Sequence, residues 1–163
     1  MLSRTVLNAL NEQIQKEYYS SYLYLAMSAY CEANNLPGSA RWMRIQSQEE
    51  LSHAMKLFDC VSDRGGRVVL KAIAQPPAEY KSALDVFKKV LEHEKFVTAS
   101  IHKLYALSVK ENDYASQIVL QWFVTEQVEE EKNATQIVEQ LKMVGDSKTS
   151  LMLLDRHLAK RGA

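Results

Sequence analysis

Apolar residues recur every three or four positions through most of this chain, the period of an amphipathic helix. Val6, Leu10, Ile14, Tyr24 and Met27 mark one face of a first helix over about 3–33. Asn34-Asn35-Leu36-Pro37-Gly38 then predicts a turn, because Pro and an Asn/Gly cluster disfavour further helix. A second helix is expected over about 39–63, with Met43, Ser47, Ala54, Leu57 and Val61 inward and Gly65-Gly66 beyond its end. A third, over about 82–110, turns Phe87, Val90, Val97, Ile101 and Leu104 inward. Glu111-Asn112-Asp113 supplies a short turn and an N-cap for a fourth over about 114–144, with Ile118, Trp122, Ile137 and Leu141 inward. Gly145 is placed as a helix stop, and Asp146 or Ser147 as the cap of a short fifth helix over about 147–160. Its Leu151, Met152, Leu154 and Leu158 are too apolar to face water alone.

Residues 66–81 break the pattern and contain Pro76-Pro77. A stretch of that length is long for a loop in a compact domain, but extended it spans a helix of roughly 35–45 Å. The second and third helices can therefore run parallel, joined by a crossover. The expected fold is all-α: a four-helix bundle with one long crossover between helices 2 and 3 and a short fifth C-terminal helix.

Composition narrows the function classes. A chain of 163 residues suits one domain over 1–163 with a real core. Lys+Arg and Asp+Glu are both 20, which argues against a nucleic-acid binder working through a basic surface. Cys31 and Cys60 lack a metal-ligand spacing and read as small apolar residues of a reducing compartment. No apolar run approaches a membrane span, and Met1-Leu2-Ser3-Arg4 does not open a signal peptide, so cytoplasm is the default.

The chemistry lies in what interrupts the stripes. Phe87, Val90, Glu94, Val97 and Ile101 form an apolar ladder with one acid in it, and Met43, Ser47, Glu50, Ala54 and Leu57 form another. His53 follows Glu50 by three residues and projects to the same side. Leu10, Glu17 and Tyr24 are spaced two turns apart; on the fourth helix Trp122, Glu126, Glu130, Ala134 and Ile137 carry the stripe, with Gln127 one position around. One acid in a stripe is ordinarily a boundary residue that reaches water. Four helices each offering a carboxylate near mid-length, one as Glu-x-x-His, is a different matter. Four ionised carboxylates in one core need a compensating charge, and a pair of metal cations supplies it most simply. Oxygen-rich ligation with one imidazole suits iron, and also manganese. Glu126, Glu129 and Glu130 share a face, and Glu49 adjoins Glu50; such like-charge clustering is unfavourable without a cation nearby. Glu131 reads as solvated, and His93, His102 and His157 as ordinary.

On Glu17, Glu50-x-x-His53, Glu94 and Gln127-x-x-Glu130, the whole chain resembles a non-haem bacterial-type ferritin. The resemblance implies that Glu17, Glu50 and His53 hold a first iron, and that Glu50 bridges to a second completed by Glu94 and Glu130, with Gln127 at its edge. Glu49, Glu126 and Glu129, with Glu130, match a third iron site. Tyr24 matches a redox-active tyrosine and Trp122 a nearby aromatic. Ser52 stands where bacterioferritins carry a haem-ligating Met, so haem is not expected, and the lack of C-x-x-C argues against a rubrerythrin-like protein. The resemblance further implies ferroxidase activity: Fe(II) oxidised by dioxygen or peroxide and stored as a ferric mineral inside a homo-oligomeric shell, a 24-mer of octahedral symmetry. No nucleic-acid or membrane partner is expected. Two other readings stay open: a di-iron oxidase acting on an organic substrate, and a metal-free structural bundle.

Overall fold

The computed structural model describes residues 2–162, which form five helices and no strand: α1 (Arg4–Ala33), α2 (Pro37–Asp63), α3 (Ala83–Lys110), α4 (Tyr114–Val144) and α5 (Lys148–Leu158). Met1 and Ala163, the ends of the expected 1–163 span, lie outside the described residues. Side chains at four helix starts satisfy orphan amides: Ser3, Ser82, Asp113 and Ser147 accept from the backbone N–H of Val6, Asp85, Ser116 and Ser150. Gly145, with φ 53°, ends α4 where its lack of a Cβ permits the left-handed turn.

α2 departs from expectation. Pro37 is its first residue and not part of a turn, so the helix starts ahead of the expected 39. Pro suits that position because its missing N–H would be unpaired in any case. Leu36 offers no side-chain cap, and the cap comes from α5 instead. Asp155 Oδ2 accepts from Gly38 N at 2.8 Å, and Oδ1 accepts from Ser39 N and Ser39 Oγ, both at 2.7 Å. A carboxylate on a helix N-terminus is also favoured by the helix dipole.

Two apolar clusters fix the helix directions. One gathers Met27 and Cys31 from late α1, Met43 from early α2, Phe87 from early α3 and Leu141 from late α4. The other gathers Val6 and Leu10, Val61, Ile101 and Leu120 from the opposite ends. So α2 runs parallel to α3, and α1 parallel to α4, as the crossover requires. α1 packs mainly on α2 and α3 mainly on α4, while α2 and α4 approach less closely. The crossover lies along α1. Asn11 Nδ2 donates to Arg67 O at 3.2 Å, Asn11 Oδ1 accepts from Val69 N at 2.8 Å, Gln15 donates to Ala72 O, and Tyr30 OH donates to Tyr80 O at 2.9 Å. The expected inward residues of α1, α2 and α3 are all buried.

α4 differs from the expected phase at its start. Ile118 is 70% exposed and Trp122 is 38% exposed, where both were expected inward. Leu120, Phe123, Gln127, Glu130 and Ala134 line the core instead. Ile118-Val119-Leu120 is apolar on every side, so periodicity alone does not choose a face there. On α5, Leu158 is buried and Leu151 and Leu154 pack against the end of the same bundle, whereas Met152 stays exposed. α5 ends at Leu158, short of the expected 160. Cys31 is buried and Cys60 half-buried; both thiols are free. No described helix is long and apolar enough to cross a membrane.

The Asp155 cap yields a prediction. A Cβ on Gly38 would lie 1.7 Å from the Asp155 carbonyl oxygen, so Gly38→Ala forces α5 off α2. Asp155→Ala removes the cap and should lower unfolding stability by about 1–2 kcal/mol. Both variants should speed amide exchange in α5 well before the other helices; unchanged α5 exchange would show that other contacts hold it.

Candidate metal centre

Between the two apolar clusters the bundle has a polar waist. Glu17, Glu50, His53, Glu94, Gln127 and Glu130 all lie there, each at most 4% exposed. They come from α1, α2, α3 and α4. Heptad-like spacing on four helices of similar length brings their middles level once α2 and α3 run parallel. Glu17, Glu50 and His53 each present a ligand atom within 4.8 Å of the others. His53 Nδ1 lies 3.2 Å from Glu50 Oε2, and the ring is held edge-on by Trp122 and Phe123 at 5.2 and 5.9 Å.

Amides and one phenol orient the acids. Lys16 Nζ donates to Ser100 Oγ at 2.6 Å, and Ser100 Oγ donates to Gln13 Oε1 at 2.7 Å. That leaves Gln13 Nε2 to donate to Glu17 Oε1, at 2.8 Å. Gln46 Nε2 bridges two carboxylates, donating to Glu50 Oε1 at 3.1 Å and Glu130 Oε2 at 2.9 Å. Tyr24 OH donates to Glu94 Oε1, and Gln127 Nε2 donates to Glu94 Oε2 at 3.1 Å. Gln13 and Gln46 do not stand out in the sequence. Each lies four residues before an acid it serves, and that helical i, i+4 spacing is the one local signal of their role.

The carboxyls repel one another in a medium that hydrates them poorly. Burial, then the charge of Glu50, pushes Glu17 up to about 8. Burial and Glu94 push Glu130 up to about 7, although Gln46 and Arg161 pull the other way. Glu50 and Glu94 are raised by burial, Glu50 also by the charges of Glu94 and Glu130. Burial and the neighbouring carboxylates raise Tyr24 well above the usual phenol range, so its hydroxyl keeps its proton. His93 flanks Tyr24 as a T-shaped neighbour and accepts or shares a hydrogen bond with Ser20 Oγ at 2.7 Å; burial pushes it down to about 4. It is an uncharged packing residue.

This donor set fits divalent iron. Glu17 Oε2 is buried with no amide, hydroxyl or amine donor, and the side chain it meets is a second acid, Glu50. Hard carboxylate oxygens and one imidazole are suitable ligands, and a cation would relieve the repulsion that keeps the acids protonated. The other expected residues are more scattered. Glu49 pairs with Arg161, Glu126 lines a groove of about 820 Å³ between α2 and α4 whose lining includes His53, and Glu129 is exposed. Glu131 is half-buried, and Ser52 is exposed in the same groove.

Fold and site together define a helical bundle with a buried, carboxylate-rich candidate metal centre. Comparison with known proteins places it further. Residues 7–144 match the family described as a ferritin-like domain. The chain is 40% identical over 158 residues to a probable bacterial non-heme ferritin-like protein of Haemophilus influenzae, covering 97% of this chain and 96% of that one. It is equally 40% identical to a bacterial non-heme ferritin of Campylobacter jejuni, covering 97% and 95%. A structure of an open pore ferritin from the hyperthermophilic archaeon Archaeoglobus fulgidus superposes with a TM-score of 0.98 at 50% identity, covering 99% of both chains. The chain belongs to the ferritin family.

The raised carboxyls make stability depend on pH. A folded-state pKa above the unfolded value gives stability that is present at low pH and lost as pH rises through the folded value. For Glu17 the window runs from about 4.5 to about 8. Within such a window each carboxyl removes roughly 1.4 kcal/mol for every step of one in pH. The metal-free protein should therefore lose several kcal/mol of unfolding stability between about pH 5 and about pH 8. Glu17→Gln, or a saturating divalent cation, should flatten that slope in urea titrations. A slope that neither changes would mean the acids do not hold protons as described.

Proposed function

We propose that this protein stores iron, oxidising Fe(II) at the waist of the bundle and retaining Fe(III) as a hydrated oxide mineral. The observation that carries the reading is the convergence of four buried carboxylates and His53 from four helices, three of them with ligand atoms within 4.8 Å of one another. Family membership supports iron storage; the ferroxidase step is our own extension of it.

In this reading iron is the substrate. Glu17, Glu50 and His53 bind one ferrous ion, Glu94 and Glu130 a second, and Glu50 lies between them. Anionic oxygen ligands favour Fe(III) over Fe(II), which makes both ions better reductants. Each gives up one electron; dioxygen takes both, together with two protons, and leaves as hydrogen peroxide. Having both electrons available at one site avoids superoxide. Tyr24, donating to Glu94, stands beside the second position and orients its carboxylate. Gln127 holds Glu94 by an amide and not by a charge, so the second position releases its ion more readily. The groove that His53 helps to line is the proposed path of iron to the site.

A mineral needs a cavity larger than one bundle provides, so the working form is a homo-oligomeric shell, proposed as a 24-mer of octahedral symmetry. Apolar side chains left in water on the α1 and crossover face support self-association: Leu25 is 47% exposed, Val69 51% and Leu70 63%.

The test adds excess ferrous iron in air to the metal-free protein, follows oxidation, and measures iron co-eluting on size exclusion. Many irons per chain on a very large particle are expected. Glu50→Ala and His53→Ala should each slow the initial oxidation at least about tenfold, the lower range for disturbing groups around a metal. About two irons per chain on a small particle would indicate an oxidase that does not store. No retained iron, with unchanged rates in both variants, would return the acids to a structural role.

A further inference from the structure

One lysine turns inward where lysines ordinarily reach for water. Lys16 stands on α1 between Gln13 and Glu17, and its ammonium donates to Ser100 Oγ on α3 at 2.6 Å. That partner is a hydroxyl and not a carboxylate. Nζ also lies 5.9 Å from the centroid of the Phe96 ring, on the same helix as Ser100. Holding a long side chain in one arrangement costs conformational entropy, and a single neutral acceptor offsets little of it.

Counting hydrogens fixes the rest of the line. A lysine ammonium has donors and no acceptor, and a serine hydroxyl has one hydrogen. Ser100 Oγ therefore accepts from Lys16, and its hydrogen goes to Gln13 Oε1 at 2.7 Å. A carboxamide whose oxygen is so engaged turns its N–H to the other side, where Glu17 Oε1 accepts it at 2.8 Å. Gln13 is 1% exposed and Ser100 8%, so little water is at hand to replace either link. Without the ammonium, the hydroxyl can send its hydrogen elsewhere and accept from Gln13. The two ends of a carboxamide are almost alike in size, so the same space holds it reversed. Reversal would set Gln13 Oε1 against a Glu17 oxygen, two like partial charges. The ionised carboxylate, the form that ligates a metal, would lose the N–H that supports it. Its other oxygen, Oε2, has no amide, hydroxyl or amine donor to compensate.

We propose, on the reading of Glu17 as a metal ligand, that Lys16 is a positioning residue that raises the affinity of the Glu17 position by fixing the direction of the hydrogen bonds through Ser100 and Gln13. Coulomb's law alone gives the contrary result: a cation beside the waist repels a metal ion, so its removal tightens binding. Lys16 acts in the opposite sense because the polarity it imposes on Gln13 presents a donor to the carboxylate. Charge and orientation therefore predict opposite signs for one substitution.

Calorimetric titration of the metal-free protein with Zn²⁺, which undergoes no redox change, tests this. The binding step that Glu17→Ala weakens marks the Glu17 position. Lys16→Met should weaken that same step about tenfold, the lower range for altering a group that supports a metal ligand, and leave any other step unchanged. Lys16→Arg, which keeps donors and no acceptor, should retain the affinity. Gln13→Leu should weaken the step by itself, and adding Lys16→Met to it should cost nothing more, since the lysine acts only through that amide. Unchanged or tighter binding in Lys16→Met, an equal loss in Lys16→Arg, or losses that add in the double variant would overturn the proposal. A Glu17→Ala chain that binds Zn²⁺ as the unaltered one does would instead overturn Glu17 as a ligand, and this inference with it.

Discussion

Four carboxylates held within one apolar bundle repel each other, and most of the molecule's design answers that repulsion. Apolar clusters above and below the waist supply the burial that keeps the helices together. Those same clusters strip water from Glu17, Glu50, Glu94 and Glu130 and so raise their proton affinity. Without metal, the cluster lowers its charge by retaining protons. A divalent cation would displace them and supply a stronger counter-charge, which is the relief such a cluster offers a metal.

The amides make that site definite. Gln13 and Gln46 donate to carboxylate oxygens without adding charge, so they orient the acids and leave the repulsion for a metal to relieve. Gln13 is itself fixed by Ser100 and Lys16, a line of donors running in from the surface. Tyr24 and Gln127 divide the two oxygens of Glu94 between them. An acid so held offers its remaining lone pairs in a set direction, and that serves a metal better than an acid free to rotate.

Asp155 links this centre to the end of the chain. By capping α2 it fixes how α5 crosses the bundle, and α5 in turn delivers Arg161 to Glu49. A contact made for helix stability thereby sets the charge pairing at the edge of the carboxylate cluster.

Most of this is legible in the sequence. Periodicity locates the helices, the length and prolines of 66–81 imply the crossover, and Glu17, Glu50, His53, Glu94, Gln127 and Glu130 stand out as polar groups in or beside apolar stripes. These are local properties: the 3.6-residue period assigns a face from near neighbours alone, and a charged residue on a buried face is conspicuous wherever it occurs. Where the local signal is degenerate it fails. The apolar run before Leu120 has no preferred side, so the pattern turns Ile118 and Trp122 inward when only packing against α2 and α3 could choose. Contacts between distant parts of the chain leave no pattern to read. Asp155 on Gly38 and Arg161 on Glu49 join residues more than a hundred positions apart, by single hydrogen bonds and ion pairs that impose no periodicity on the sequence. The chain's own pattern thus specifies a bundle with carboxylates at its waist, while tertiary packing alone settles which charges meet at its edge.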